Sequence, residues 1–244
     1  MEPAASAAAS GAASGASAAM PEAFADPQYL AAVVDLLGAI GYGQLSAFER
    51  LAEDAAMAPS IADKVAVATL AAREVNNVTR LRERLGELGA DPDEAMAPFK
   101  APLEAFHAHT KPRDWWEGLV KAFVGDALAT DFYREIAAFL DVDTRELIID
   151  TLRDTGHAEF VVDRVTTAIA ADPRLGGRLA LWGRRLMGEA LTQAQRVAAE
   201  RDALVALLSG GVDRPGMDLA AVGRMFARLT ERHAQRMADL GLDS

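Results

Sequence analysis

From residue 27 onward, apolar residues return every three or four positions along almost the whole chain, and β-branched alternation is rare. That interval is the period of an α-helix and leaves no segment that reads as a strand. Pro, Gly and Asp, which end or cap helices, gather at Ala58-Pro59-Ser60, Gly89-Ala90-Asp91-Pro92, Thr110-Lys111-Pro112, Asp141-Val142-Asp143, Asp172-Pro173 and the stretch from Gly210 to Gly216. The pattern between these breaks predicts helices from Pro27 to Ala56, Ser60 to Leu88, Trp115 to Leu140 and Thr144 to Ala171, then Pro173 to Leu208 and Asp218 to Leu240. The first four would each span about 40 Å at roughly 1.5 Å per residue, a length suited to side-by-side packing. Only the connection from Ala90 to Asp114 is long. The predicted architecture is therefore all-α: a four-helix bundle over 27–171 with one long crossover, and two additional C-terminal helices over 173–240.

The first twenty residues are almost entirely Ala, Ser and Gly and lack the cationic start and Leu-rich stretch of a secretory signal, so residues 1–26 are expected to be a disordered tail. The greasiest stretch, Leu30 to Ile40, is interrupted by Asp35, so no membrane span and a cytoplasmic location are expected. With no cysteine, metal chemistry would have to use carboxylates and imidazoles, donors that suit iron or manganese. A net charge of −11 disfavours a surface built throughout to grip nucleic acid, while leaving room for a local basic face.

Several acids fall on apolar helical stripes. In the second predicted helix Val67, Leu70, Glu74, Asn77, Val78 and Leu81 share one face, and in the fourth Asp154, His157, Val161 and Val165 do. The third lines up Leu119, Ala122, Asp126, Ala129 and Tyr133, and the first Tyr42, Leu45, Glu49 and Ala52. Four ionised carboxylates in an apolar interior would repel one another and raise their own pKa values, whereas two divalent cations would cancel four negative charges.

These residues lie in stretches that resemble a known group: Tyr42-Gly43-Gln44-Leu45-Ser46-Ala47-Phe48-Glu49, Glu74-Val75-Asn76-Asn77, Gly118 to Asp126, Asp154-Thr155-Gly156-His157 and Leu181-Trp182-Gly183-Arg184-Arg185. The chain resembles the ferritin-like superfamily, specifically the actinobacterial-type relatives of the tRNA methylthio-isopentenyladenosine hydroxylase, over nearly all its length beyond the tail. The resemblance implies a ferritin-like bundle holding two iron ions, with manganese as an alternative. It implies Glu49 as one terminal ligand, Glu74 as a bridging one, Asp126 as the second terminal ligand, and Asp154 with His157 as the last bridging acid and imidazole. The chain departs from the pattern at Asn77, which stands where the first histidine ligand is expected and is a far poorer ligand for iron. Asp at 126 and 154 also shortens the reach relative to Glu, so one metal position would be weak or empty.

Three functions follow as expectations: a non-haem di-iron oxygenase hydroxylating a tRNA isopentenyl adenosine, a ferritin-like scaffold with a degenerate metal site that binds a partner, and iron storage in a closed shell. Each residue also has a plainer reading. Glu74 and Asn77 would form a polar pair in the core, His157 would be a satisfied core histidine, and Tyr42 and Tyr133 would be core aromatics rather than gates. Glu53, Asp54, Asp131 and Glu135 fall off the stripes and are expected to be solvated. Arg224, Arg228, Arg232 and Arg236, with Arg174, Arg178, Arg184 and Arg185, would either meet tRNA phosphates or form a solvated face. Gly156 would bend its helix or allow close packing, and Trp115-Trp116 would anchor the crossover. A homodimer is compatible with the first two functions, whereas a closed shell would need many subunits.

Overall fold

The computed structural model describes residues 22–153, 157–209 and 217–243, and among these every regular element is a helix. Regular structure is already present within the expected tail, residues 1–26: residues 22–25 form a 3-10 turn that inserts Phe24 into the core against Tyr29. Helix α1 (Pro27–Ala56) starts at Asp26, whose carboxylate accepts from the backbone of Gln28 and leaves Pro27 at a position needing no amide hydrogen. Helix α2 (Ile61–Glu87) starts at Ser60, whose hydroxyl accepts from the Asp63 backbone at 3.1 Å and donates to its carboxylate at 2.7 Å. The two form an antiparallel hairpin that ends at Gly89, where φ is +76°.

The long crossover contains α3 (Pro92–Met96) and α4 (Lys100–His109). Helix α3 rests on α1 at Gly38, where a side chain would collide with the Ala95 carbonyl. Helix α5 (Trp115–Ala137) begins with Trp115 buried, and Asp114 caps it through the Glu117 backbone. The fourth predicted helix is two, α6 (Val142–Thr151) and α7 (His157–Ala171). The fifth is also two, α8 (Pro173–Glu200) and α9 (Asp202–Ser209), followed by α10 (Leu219–Asp239).

Apolar packing is concentrated at the two ends of the bundle. One cluster joins Leu119, Val120, Val161, Leu179, Trp182 and Leu186; the other joins Leu36, Leu37, Leu81, Leu85, Ile136 and Ile148. The waist between them is where α6 gives way to α7. Helix α1 has an 18-residue stretch of mean hydropathy 1.4, long and apolar enough to cross a membrane, but 61% of it is buried inside the protein, as in the central helix of a packed bundle.

Candidate functional site in the waist of the bundle

A cavity of about 350 Å³ occupies the waist between α1, α2, α4, α5 and α7. Its inner stripe on α1 runs through Ile40, Gly43, Gln44, Ala47, Leu51 and Asp54, spaced as one helical face requires. Glu74 from α2, Asp126 and Tyr133 from α5, and His157 at the start of α7 also line it. Asp126 and Ala129 are exposed, which marks the opening to solvent. Three of the expected ligand positions, Glu74, Asp126 and His157, therefore share one cavity. Asp154 and Gly156 lie outside the described residues.

Glu49 does not join them. Its side chain is 52% exposed and accepts from Arg50 at 3.4 Å on the outer side of α1. At about 100° per residue, Glu49 points roughly 200° away from the inward Ala47, so the stripe of Tyr42, Leu45 and Glu49 is not the inner one. The buried acid on α1 is Asp54, 7% exposed, which was expected to be solvated. Asp131 is likewise buried and Glu135 largely covered, leaving Glu53, 63% exposed at its side chain, as the solvated member of that set.

Asn77 is buried and does not line the cavity. Its amide donates to the Thr151 carbonyl at 3.1 Å, Arg134 donates to the Leu152 carbonyl at 3.0 Å, and Arg73 donates to the Arg153 carbonyl. Three consecutive carbonyls at the end of α6 are thus held by side chains from α2 and α5. A helix end leaves such carbonyls without intrahelical donors, and these side chains answer them. Among the described residues, no three His, Asp or Glu side chains converge closely enough to hold a metal ion. With Glu49 outside and Asn77 committed to α6, the described residues do not fit a two-iron centre.

Burial dominates the electrostatics. It pushes the Glu74 carboxyl up to about 8, with the Asp126 charge adding and Arg73 opposing. Tyr133 is pushed up to about 12 by burial and then by Asp126. Toward the α1–α2 turn, burial raises Asp54 to about 6 and lowers Lys121 to about 8, each opposed by the other's charge. Lys121 donates to the Thr110 carbonyl at 2.8 Å and lies 5.6 Å from the centre of the Phe106 ring, so it caps α4. His107, lowered to about 3 by burial with Lys121 and Arg50 contributing, is neutral. Sequence reasoning missed Asp54, Lys121, His107 and Gln44. A lone lysine within Gly118-Leu119-Val120-Lys121-Ala122-Phe123-Val124 was the available signal, since a charge inside so apolar a run is buried with it.

The arginine ladder on α10 is largely consumed by α5. Arg228 meets Glu135 at 2.6 Å, Arg232 meets Glu135 at 2.8 Å and Asp131 at 3.2 Å, and Arg236 also meets Asp131. On α8, Arg178 pairs with Asp114 and Glu117, Arg184 donates to the Asp243 carbonyl and Arg185 to that of His109. Tyr42 bonds Glu104 on α4 at 3.3 Å, away from the acids of the waist.

Comparison with curated proteins finds no match for the chain. Residues 27–211 match the family described as a ferritin-like domain of actinomycetes, a span running from α1 beyond α9, and the chain belongs to that family.

Proposed function

We propose that this chain is a ferritin-like binding protein with a degenerate metal site, whose waist cavity receives a small organic molecule. The carrying observation is the cavity itself: about 350 Å³ lined by aliphatic and aromatic side chains together with polar and charged ones, among them Gln44, Asp54, Glu74, Lys121, Asp126 and His157. Ligand sites have that size and mixture. Native mass spectrometry of the purified full chain tests it. The expected result is a bound small molecule that Ala47→Phe, which fills the cavity, displaces. A chain free of adducts, together with an Ala47→Phe variant that is simply more stable, would mean the space is only a packing defect.

Glu74, Asp126 and His157 around one cavity support a second reading, an iron-dependent hydroxylase of the tRNA-modifying type. Metal analysis of protein from iron-fed cells separates the two. At least about one iron per chain, with stability lost on chelation, favours the hydroxylase; the binding-protein reading expects neither. An unchanged nucleoside profile in tRNA from a deletion strain would remove tRNA as substrate.

A further inference from the structure

Asp54 and Lys121 are two opposite charges in the lining of the cavity, toward the α1–α2 turn, and the fold satisfies neither completely. Both are buried, at 7% and 5% exposed. The Asp54 carboxylate rests on Gly118, with each oxygen 3.2 Å from where a side chain there would begin, and Gly118 lies one helical turn before Lys121 on α5. Lys121 gives one N–H to the Thr110 carbonyl at 2.8 Å, beside the Phe106 ring of α4. Each of the two is the charge that acts most strongly on the other. Yet they do not meet as an ion pair, and among the described residues neither oxygen of Asp54 receives a hydrogen bond. Buried carboxylates are ordinarily hydrogen-bonded, so this one stands out. The further charges that Asp54 feels, Glu53 and Arg50, are of opposite sign and pair with each other at 3.1 Å. His107 is neutral and adds no charge. Two carboxylate oxygens and two ammonium N–H groups are therefore left at this end of the cavity, next to the apolar side chains of Leu51, Leu103 and Phe123.

We propose that Asp54 and Lys121 together bind the primary carboxamide of a small uncharged ligand, whose hydrocarbon part lies against Leu51, Leu103 and Phe123. The proposal rests on the cavity being a ligand site. A primary amide carries two N–H donors and a carbonyl oxygen with two lone pairs, the count that the Asp54 oxygens and the remaining Lys121 hydrogens require. It also adds no charge to a pair whose charges sum to zero. A carboxylate ligand would set its charge against Asp54, and an ammonium ligand against Lys121. A zwitterion would bring two more charges into a buried site, where each must be stripped of water. An alcohol has a single donor for two carboxylate oxygens.

Isothermal titration calorimetry of the full chain with hexanamide, hexanoate and n-hexylamine tests the class, because the three share a hydrocarbon tail and differ at the head. Hexanamide is expected to bind at least about tenfold more tightly than either charged compound, a difference of about 1.4 kcal/mol. Asp54→Asn leaves the Lys121 charge unanswered, so it should weaken hexanamide at least about tenfold and turn the preference toward hexanoate. Lys121→Met leaves the Asp54 charge and should turn it toward n-hexylamine. These opposite reversals separate direct contact from a merely structural role, and one of them suffices should the other variant fail to fold. Hexanoate or n-hexylamine bound by the natural chain as tightly as hexanamide, or hexanamide affinity unchanged in the variants, overturns the carboxamide class but leaves the cavity a ligand site. So does binding of none of the three when native mass spectrometry shows an adduct that Ala47→Phe displaces. Binding of none of the three together with an adduct-free spectrum overturns both readings.

Discussion

The side-chain amide of Asn77 donates across 3.1 Å to the carbonyl of Thr151, so the residue standing where a histidine ligand is expected serves as a buried clamp on the end of α6. With Arg73 and Arg134 it answers three successive carbonyls where the bundle's fourth strand of helix breaks. The clamp holds the end of α6 beside the cavity.

Asn77→Ala leaves the Thr151 carbonyl buried without this donor, and should lower stability by about 1–3 kcal/mol. Chemical denaturation checks this, and a loss indistinguishable from zero would mean that water replaces the amide.

Gly38 is required by its contact with α3. A Cβ there would lie 2.7 Å from the Ala95 carbonyl carbon, backbone that cannot move without displacing α3 from α1. Gly38→Ala is expected to destabilise by about 2 kcal/mol or more, although alanine is the better helix former by about 1 kcal/mol. Gly86, with nothing within 4 Å of its added Cβ, is the control: Gly86→Ala should stabilise. Thermal melts of the two variants should move in opposite directions.

Asp131, 3% exposed, holds Arg232 and Arg236 of α10 against α5. Asp131→Asn should cost about 2 kcal/mol, less than the loss for a fully buried pair because Arg232 keeps contact with water. The effect should be localised: faster amide exchange in α10 with little change in α1 and α2. Unchanged exchange in α10 would show that its apolar residues alone fix it.

Stability should depend on pH through Asp54. Its carboxyl is raised from 3.8 to about 6, first by burial and against the pull of Lys121. Between those values the folded carboxyl binds more protons than the unfolded one, so the contribution of Asp54 falls as pH rises from about 4 to about 6 and stays reduced above that, while the raised Glu74 adds a fall and the lowered His107 a rise over an overlapping range. The loss is on the order of 2–3 kcal/mol. Asp54→Asn should remove this fall, and Lys121→Met should extend it to higher pH. Urea melts at pH 4 and pH 7 compare the three.

The chain's periodicity determined that it is helical and that α1 and α2 are two long helices separated by a short break, because a three-to-four repeat and a capping Ser or Asp act within a few residues. It also placed Glu74, Asp126 and His157 on inward faces, since each sits in a stripe of apolar neighbours. Tertiary structure decided which of two stripes on α1 faces inward: both are partly apolar, and only packing against α2 and α5 selects the one bearing Gln44 and Asp54 over the one bearing Glu49. It also decided the break between α6 and α7 and the role of Asn77, because a side chain's hydrogen-bond partner 74 residues away is set by how helices meet and leaves no mark on local spacing. The arginine ladder shows the same division. Its four-residue interval fixed a common face on α10, but whether that face met solvent or the acids of α5 depended on where the helix docked.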